Sequence, residues 1–429
     1  MSFTVDFKAF DNALCQIKSI LPANAKKQHI WLSILDSKLT IAAAGVNGWT
    51  ASAVLGAVTN DEMLVAVPLA DLKNAIKPFK GKSLTFSCKG DKLSVNGLHV
   101  ETHLNADGRA EFLEVLDTEF IDIMLIDGFR ISRKEITDFV EDALSCVAEG
   151  EDNSTLTSLC LTMIDNHTAE FACMDGHHFF STRMENVRFS GLELGQKYLI
   201  DTPRILSLWL NKLSKKAIGL EIRTNGSQMF FFSDEGDVLR VNLKKTDIDT
   251  TYPDYAFMCA GFNENREHKA EAGFWVSDLL SAKLRLAPYA NSEQAGLYMD
   301  FNTGQLSVVD RVDDDIRNED ANWSVIPESV MKVDHYFTGS IINDAWTERF
   351  EDRIRVVNGT TFNFKTFFEF VQRMGTTRII LDFITMERPV RLRSPYGDKF
   401  FVVMPTLVMK RLLRFNDAFQ TQQTDEAVA

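Results

Sequence analysis

The chain lacks most of the signals by which a sequence declares its chemistry. Its six cysteines, Cys15, Cys88, Cys146, Cys160, Cys173 and Cys259, are dispersed with no C-x-x-C pair, which argues against a disulfide framework and thiolate zinc and fits a reducing cytosol. No uninterrupted run of about 18 apolar residues occurs, and Met1 to Lys8 has neither a basic n-region nor an apolar h-region. The expectation is a cytoplasmic protein, neither exported nor membrane-spanning, whose sequons at Asn153, Asn225 and Asn358 stay unglycosylated. No G-x-S-x-G elbow, Walker loop, H-E-x-x-H helix or dinucleotide glycine fingerprint appears. The histidines at 29, 99, 103, 167, 177, 178, 268 and 335 are scattered. No catalytic residue and no cofactor is assigned, because the sequence offers no chemistry to assign.

What is present is a mismatch between whole and part. The 429-residue chain is acidic, with a formal net charge of -14, yet selected helical segments are basic. Asp71 to Lys82 carries Lys73, Lys77, Lys80 and Lys82 against one aspartate, and Arg204 to Lys216 carries Arg204, Lys212, Lys215 and Lys216 unopposed. Lys365 to Arg378 carries Lys365, Arg373 and Arg378 against Glu369. A protein acidic overall and basic on chosen helices can hold a polyanion in one place and repel it elsewhere. Lysine-bearing faces are usually just solvated, and recurrence on three segments is what lifts this pattern above that reading. The segment Ser132 to Ala148, with Glu135, Asp138, Glu141 and Asp142, breaks the trend.

Periodicity repeats one phrase: a short β segment, an amphipathic helix, then β-rich sequence punctuated by Gly, Asn and Asp. The helices are expected at Asp6 to Ile20, Leu69 to Phe79, Ser132 to Ala148, Thr202 to Leu213, Ser277 to Leu286 and Lys365 to Met374. Strand-like runs follow them at 29–35, 84–88, 159–163, 220–223, 297–301 and 378–383. Leu72, Ala75, Ile76 and Phe79 fall at i, i+3, i+4 and i+7 and form one apolar stripe, with Lys73, Lys77 and Lys80 on its neighbour. Ser132 with Glu135 is a capping box, and Asp201-Thr202-Pro203 is a helix start. Six such units pair into three similar α+β domains, expected at 1–120, 121–262 and 263–407, with connectors at Ala106 to Phe112 and Cys259 to Arg266. The third domain carries an insertion around 312–355, in which Glu328 to Arg353 looks inserted, and a C-terminal extension occupies 408–429.

Asp175-Gly176 between two β-prone runs predicts a tight turn, because glycine accepts positive φ without steric cost. The adjacent His177 and His178, with Asp175 and His167, invite a metal reading, but neighbours on a strand point to opposite faces and chelate poorly. Asp313-Asp314-Asp315 lacks the glycine of a calcium loop and reads as a solvated segment. No metal site is assigned.

The order of motifs resembles the bacterial-type DNA sliding clamp, the beta subunit of DNA polymerase III, as a divergent member. The resemblance rests on Phe3-Thr4-Val5 running into the first helix, Val65 to Leu72 running into the second, and Met174-Asp175-Gly176-His177-His178-Phe179. It continues with Tyr252-Pro253-Asp254-Tyr255, which is similar to the family's F-P-D-Y, and Phe401-Val402-Val403-Met404-Pro405, which is similar to its closing Y-V-V-M-P. The resemblance implies a head-to-tail homodimeric ring whose helices line a hole wide enough for duplex DNA and which slides without sequence preference. The phosphate-facing candidates are then Lys26, Lys27, Lys73, Lys77, Lys80, Arg204, Lys212, Lys215, Lys216, Lys365 and Arg373. It implies also a hydrophobic cleft that captures short linear peptides of the replicative polymerase, the clamp loader and repair proteins. By motif match that cleft is built from Leu156, Met174, Gly176, His177, His178, Phe179, Pro253, Phe257, Val402, Val403, Met404 and Pro405.

Departures from the family's pattern set expectations of their own. Met174 and His178 stand where a threonine and an arginine are usual, and Phe257 where a basic residue is common, so the cleft is more apolar and less cationic. Val408, Met409, Leu412, Leu413 and Phe415 give the extension an amphipathic pattern, expected to pack beside or over the cleft. The alternative function is a clamp-fold interaction protein that binds replication peptides without encircling DNA.

Overall fold

The computed structural model describes residues 2–21, 29–35, 37–44, 50–58, 63–89, 92–101, 127–148, 155–185, 194–244, 252–253, 255, 262, 270–311, 323–339, 359–384 and 388–405. It contains two compact units, one of residues 1–173 and 184–252, the other of residues 174–183 and 253–429. Six α-helices have described bounds: α1 (Phe7–Ser19), α2 (Leu69–Ile76), α3 (Arg133–Leu144), α4 (Pro203–Lys212), α5 (Val276–Leu286) and α6 (Phe364–Arg373). All fall where the apolar periodicity puts them. The last part of the helix expected to reach Phe79 is a 3₁₀ turn at Lys77–Phe79, and a like turn at Ala287–Tyr289 follows α5, each built around a proline that cannot donate to an α-helical ladder.

The helix starts have local causes. Asp6 caps α1 by accepting the Ala9 N–H at 2.9 Å, and Asn363 caps α6 by accepting that of Thr366 at 3.0 Å. The capping box of α3 is complete: Ser132 Oγ accepts the Glu135 N–H at 3.2 Å, and Glu135 Oε2 accepts the Ser132 N–H at 3.3 Å. Glu135 is thus committed to the helix it begins.

In the first unit, one antiparallel sheet joins Ser2–Asp6, Ser83–Lys89, Lys92–Val95 and Leu98–Glu101 in spatial order. A longer one runs Met63–Pro68, His29–Leu35, Lys38–Ala44, Thr50–Gly56, Val238–Lys244, Gln228–Ser233, Gly219–Thr224 and Asp127–Ser132. Its seam is the pairing of Leu239 with Ala51, where the buried Asp237 accepts the Val54 N–H at 3.0 Å. Helices cover the sheets with alternating apolar stripes: Phe10, Leu14 and Ile17 of α1, Leu72 and Ile76 of α2, Ile136 and Val140 of α3, and Leu206, Trp209 and Leu210 of α4 are all buried.

In the second unit, a six-stranded sheet runs His335–Gly339, Ala270–Trp275, Arg378–Phe383, Val390–Arg393, Phe400–Val403 and His178–Met184. The segment Glu328 to Arg353, read from sequence as an insertion, therefore contributes an integral edge strand: Ala272 lies opposite Phe337 in antiparallel register. Along His335-Tyr336-Phe337 burial alternates, half-buried, exposed, half-buried, as a strand requires. A second sheet joins Trp323–Val325, Gln305–Arg311, Gly296–Asp300 and Gly359–Asn363. Helices α5 and α6 pack against each other, and Lys283 Nζ of α5 donates to Gln372 Oε1 of α6 at 2.9 Å. The connector Ala106 to Phe112, the connector Cys259 to Arg266 apart from Phe262, Asp313 to Asp320 and the extension 408–429 lie outside the described residues.

Candidate functional site

The residues of the expected peptide cleft that fall in the second unit assemble around one turn. Gly176 has φ 93°, a left-handed value that favours glycine. Asp175 closes the turn from both ends: its N–H donates to the His178 carbonyl at 3.2 Å, while its Oδ1 accepts the N–H groups of His177 at 2.8 Å and His178 at 2.7 Å. Its other oxygen, Oδ2, lies 2.8 Å from Nδ1 of the His178 ring. Burial works against the Asp175 charge, but the His178 ring bond and charge and the two backbone N–H groups outweigh it and hold the carboxyl below the usual carboxylate range.

From this turn the strand His178–Met184 leads antiparallel to Phe400–Val403, with His178 opposite Val403, Phe179 opposite Val402 and Phe180 opposite Phe401. The Met404 N–H donates to the His177 carbonyl at 3.3 Å and carries the pairing one step past the strand. Alternation sorts the side chains. On one face the Phe401 ring stacks on Phe370 of α6 at 4.5 Å, Phe180 lies 4.9 Å from Phe401, and His178 meets Phe370 edge-on at 5.5 Å. On the other, Phe179 stacks on Tyr255 at 5.0 Å and lies 5.8 Å from Phe400.

The expected cleft residues therefore divide into two kinds. Gly176, His177 and Met404 are exposed, and His178 and Pro253 are half-buried, so these present a surface. Met174, Phe179, Val402, Val403 and Pro405 are buried and act as its support. Leu156 belongs to the first unit, in the turn Thr155–Thr157. Phe257 lies outside the described residues. Tyr255 and Phe370, which hold Phe179 and His178, were missed as site residues, although each sits in a segment the sequence reading quoted.

The expected phosphate-facing residues are also sorted. Lys77, Lys80, Arg204, Lys212, Lys215, Lys216 and Lys365 are exposed. Lys73 is half-buried beside Lys18 of α1, and the contact with that second lysine, then burial, lowers its pKa. Arg373 is drawn onto Glu369 of the same helix at 3.0 Å, so part of its charge is answered locally. Lys26 and Lys27 lie outside the described residues. Lys18, missed from sequence because α1 is not basic overall, joins α2 through that cross-helix pair. Among the described residues no cluster of His, Cys, Asp and Glu is placed to hold a metal ion, and no helix is long and apolar enough to cross a membrane.

No family model and no curated protein matches the chain. Solved structures do. A DNA polymerase III beta subunit from Thermotoga maritima matches with a TM-score of 0.68 at 14% identity, over 94% of this chain and 99% of its own. The chain has the sliding-clamp fold. A DNA polymerase sliding clamp from Pseudomonas aeruginosa matches at 0.71 and 14% identity, over 95% and 99% of the two chains. The Helicobacter pylori beta clamp, solved with a DNA ligase peptide, matches at 0.69 and 15% identity over 95% and 100%. The clamp fold thus extends over nearly the whole chain at 14–15% sequence identity to these structures.

Proposed function

We propose that this protein is a DNA polymerase processivity factor: a non-catalytic sliding clamp, a divergent member of the DNA polymerase III beta subunit family, that encircles duplex DNA and tethers replication proteins. The carrying observation is the clamp fold matched over about 95% of the chain and all of the H. pylori clamp's. Two copies, each of three similar domains, close head to tail, and the exposed cations of α4, α6 and the turns after α2 and α4 meet the phosphates. Such contacts carry no base readout, so the ring slides and binds without sequence preference. The turn at Gly176 and the chain segment at Met404 form the docking surface for linear peptides of a polymerase and a clamp loader. Its chemistry is a methionine, two histidines and a proline over an aromatic floor, with Asp175 paired to His178, which favours apolar and aromatic peptide side chains over acidic ones.

Negative-stain electron microscopy of the purified full chain tests the assembly. Closed rings with a central hole and six lobes are expected. Compact three-lobed particles that do not close even on circular DNA contradict it.

A further inference from the structure

The second unit holds a cavity of about 240 Å³ that lies outside the peptide surface. Its walls come from three adjacent strands. Trp275 and Arg378 are register partners, and the Arg378 guanidinium carbon lies over the indole, 3.8 Å from the ring centre. Tyr336, on the edge strand, lies across Gly273, where an added Cβ would fall 1.9 Å from its ring. The glycine is what lets the ring lie down. Tyr336 is anchored by donating its hydroxyl to Glu271, whose other oxygen is held by Arg393 at 3.0 Å. His335 stacks on Phe274 at 5.8 Å and donates Nε2–H to the Phe301 carbonyl at 2.6 Å. Asp334 and Pro395 complete the lining.

These walls are fixed by bonds to the protein, yet two charged groups in them are not answered. Arg378 and Asp334 are both exposed, and among the described residues neither makes an ion pair or hydrogen bond. Its place over Trp275 leaves the guanidinium N–H fork for a planar anion. Trp275 and Tyr336 stay 43% and 44% exposed, a large pair of aromatic residues to leave in water. A pre-formed aromatic cavity with one unpaired cation and one unpaired anion complements a small zwitterion on an aromatic body.

We propose that this cavity binds an aromatic α-amino acid, with its carboxylate on Arg378, its ammonium on Asp334, and its ring against Trp275 and Tyr336. The test is calorimetric titration of the full-length protein with L-phenylalanine, 3-phenylpropionate, which lacks the ammonium, and phenethylamine, which lacks the carboxylate. L-Phenylalanine is expected to bind about tenfold or more tightly than either analogue, the usual worth of one charge-assisted hydrogen bond. R378Q should bring it down to the phenethylamine level, D334N to the 3-phenylpropionate level, and Trp275→Ala should weaken all three. Arg378 and Asp334 are exposed, and an unchanged melting curve checks that their variants fold. Equal binding of the three probes, undiminished L-phenylalanine affinity in R378Q, or no binding to the folded wild type overturns the proposal. If 3-phenylpropionate binds as tightly as L-phenylalanine, the site reads a carboxylate alone, as at a peptide C-terminus, and the zwitterion assignment fails.

Discussion

The backbone N–H of Met404 is bonded to the carbonyl of His177, so the exposed methionine and the Asp175 turn are placed by one hydrogen-bonded ladder. The strand beneath them is a stack of rings, and that makes the surface rigid. Phe401 is fully buried between Phe180 and Phe370. Phe401→Ala is expected to cost about 3–5 kcal/mol, transfer plus cavity, measured by chemical denaturation of the purified variant.

Gly176 is a cleaner probe of the turn itself. A Cβ there meets nothing within 4 Å, so Gly176→Ala introduces no clash and pays only for its left-handed backbone. The expected loss is about 1–2 kcal/mol, and it should be smaller for Gly176→Asn, because asparagine tolerates this region better. Equal losses for the two would contradict the assignment.

The half-buried Asp175 and the buried Asp237 should give opposite pH signatures. Asp175 titrates below the ordinary value of about 3.9, because His178 and two N–H groups outweigh its burial. Between those pH values the unfolded chain binds more protons. The stability Asp175 contributes is therefore full above about pH 3.9 and is lost as pH falls through the lower, folded value. Asp237 is shifted upward, chiefly by burial. Here the folded chain binds more protons, and stability falls as pH rises from about 3.9 to the raised value. Relative to wild type, Asp175→Asn should lose stability as pH rises through its window, and Asp237→Asn, which keeps an acceptor for Val54, should gain it. Denaturation across an acid pH series reads both.

Asp382 is completely buried and accepts from Arg391 at 2.7 Å and Arg393 at 2.8 Å, with Arg393 reaching on to Glu271. Removing one partner of a buried ion network leaves the others uncompensated. Asp382→Ala is expected to cost about 3–5 kcal/mol, and a double variant that also replaces Arg393 should recover part of it, measured as a coupling energy.

Much of this was legible before any coordinates. The helix stripes, the caps at Asp6 and Ser132 and the Asp175-Gly176 turn are local devices, each encoded within a few residues. The pairing of the Asp175 turn with the segment at Met404 was legible only through motif order, since Met404 and His177 are far apart in the chain and nothing local says that they pair. Tyr255 and Phe370 escaped for the same reason: a ring that supports a site looks like any core aromatic. The edge strand at His335 was hidden because its length and position suggested an insertion, whereas its pairing partner, Ala270–Trp275, lies some 60 residues earlier. Lys18 escaped because its significance comes from Lys73 on another helix.

Topology is the central claim, and retention on DNA measures it most directly. The protein is loaded onto closed circular duplex, with a clamp loader if one is needed, and followed by gel filtration at rising salt before and after a single cut linearises the circle. Encirclement gives retention on the circle at salt concentrations that abolish simple phosphate contacts, and prompt release once the ends are free. Equal salt-sensitive loss from circular and linear DNA would contradict encirclement and leave a clamp-fold protein that binds peptides alone.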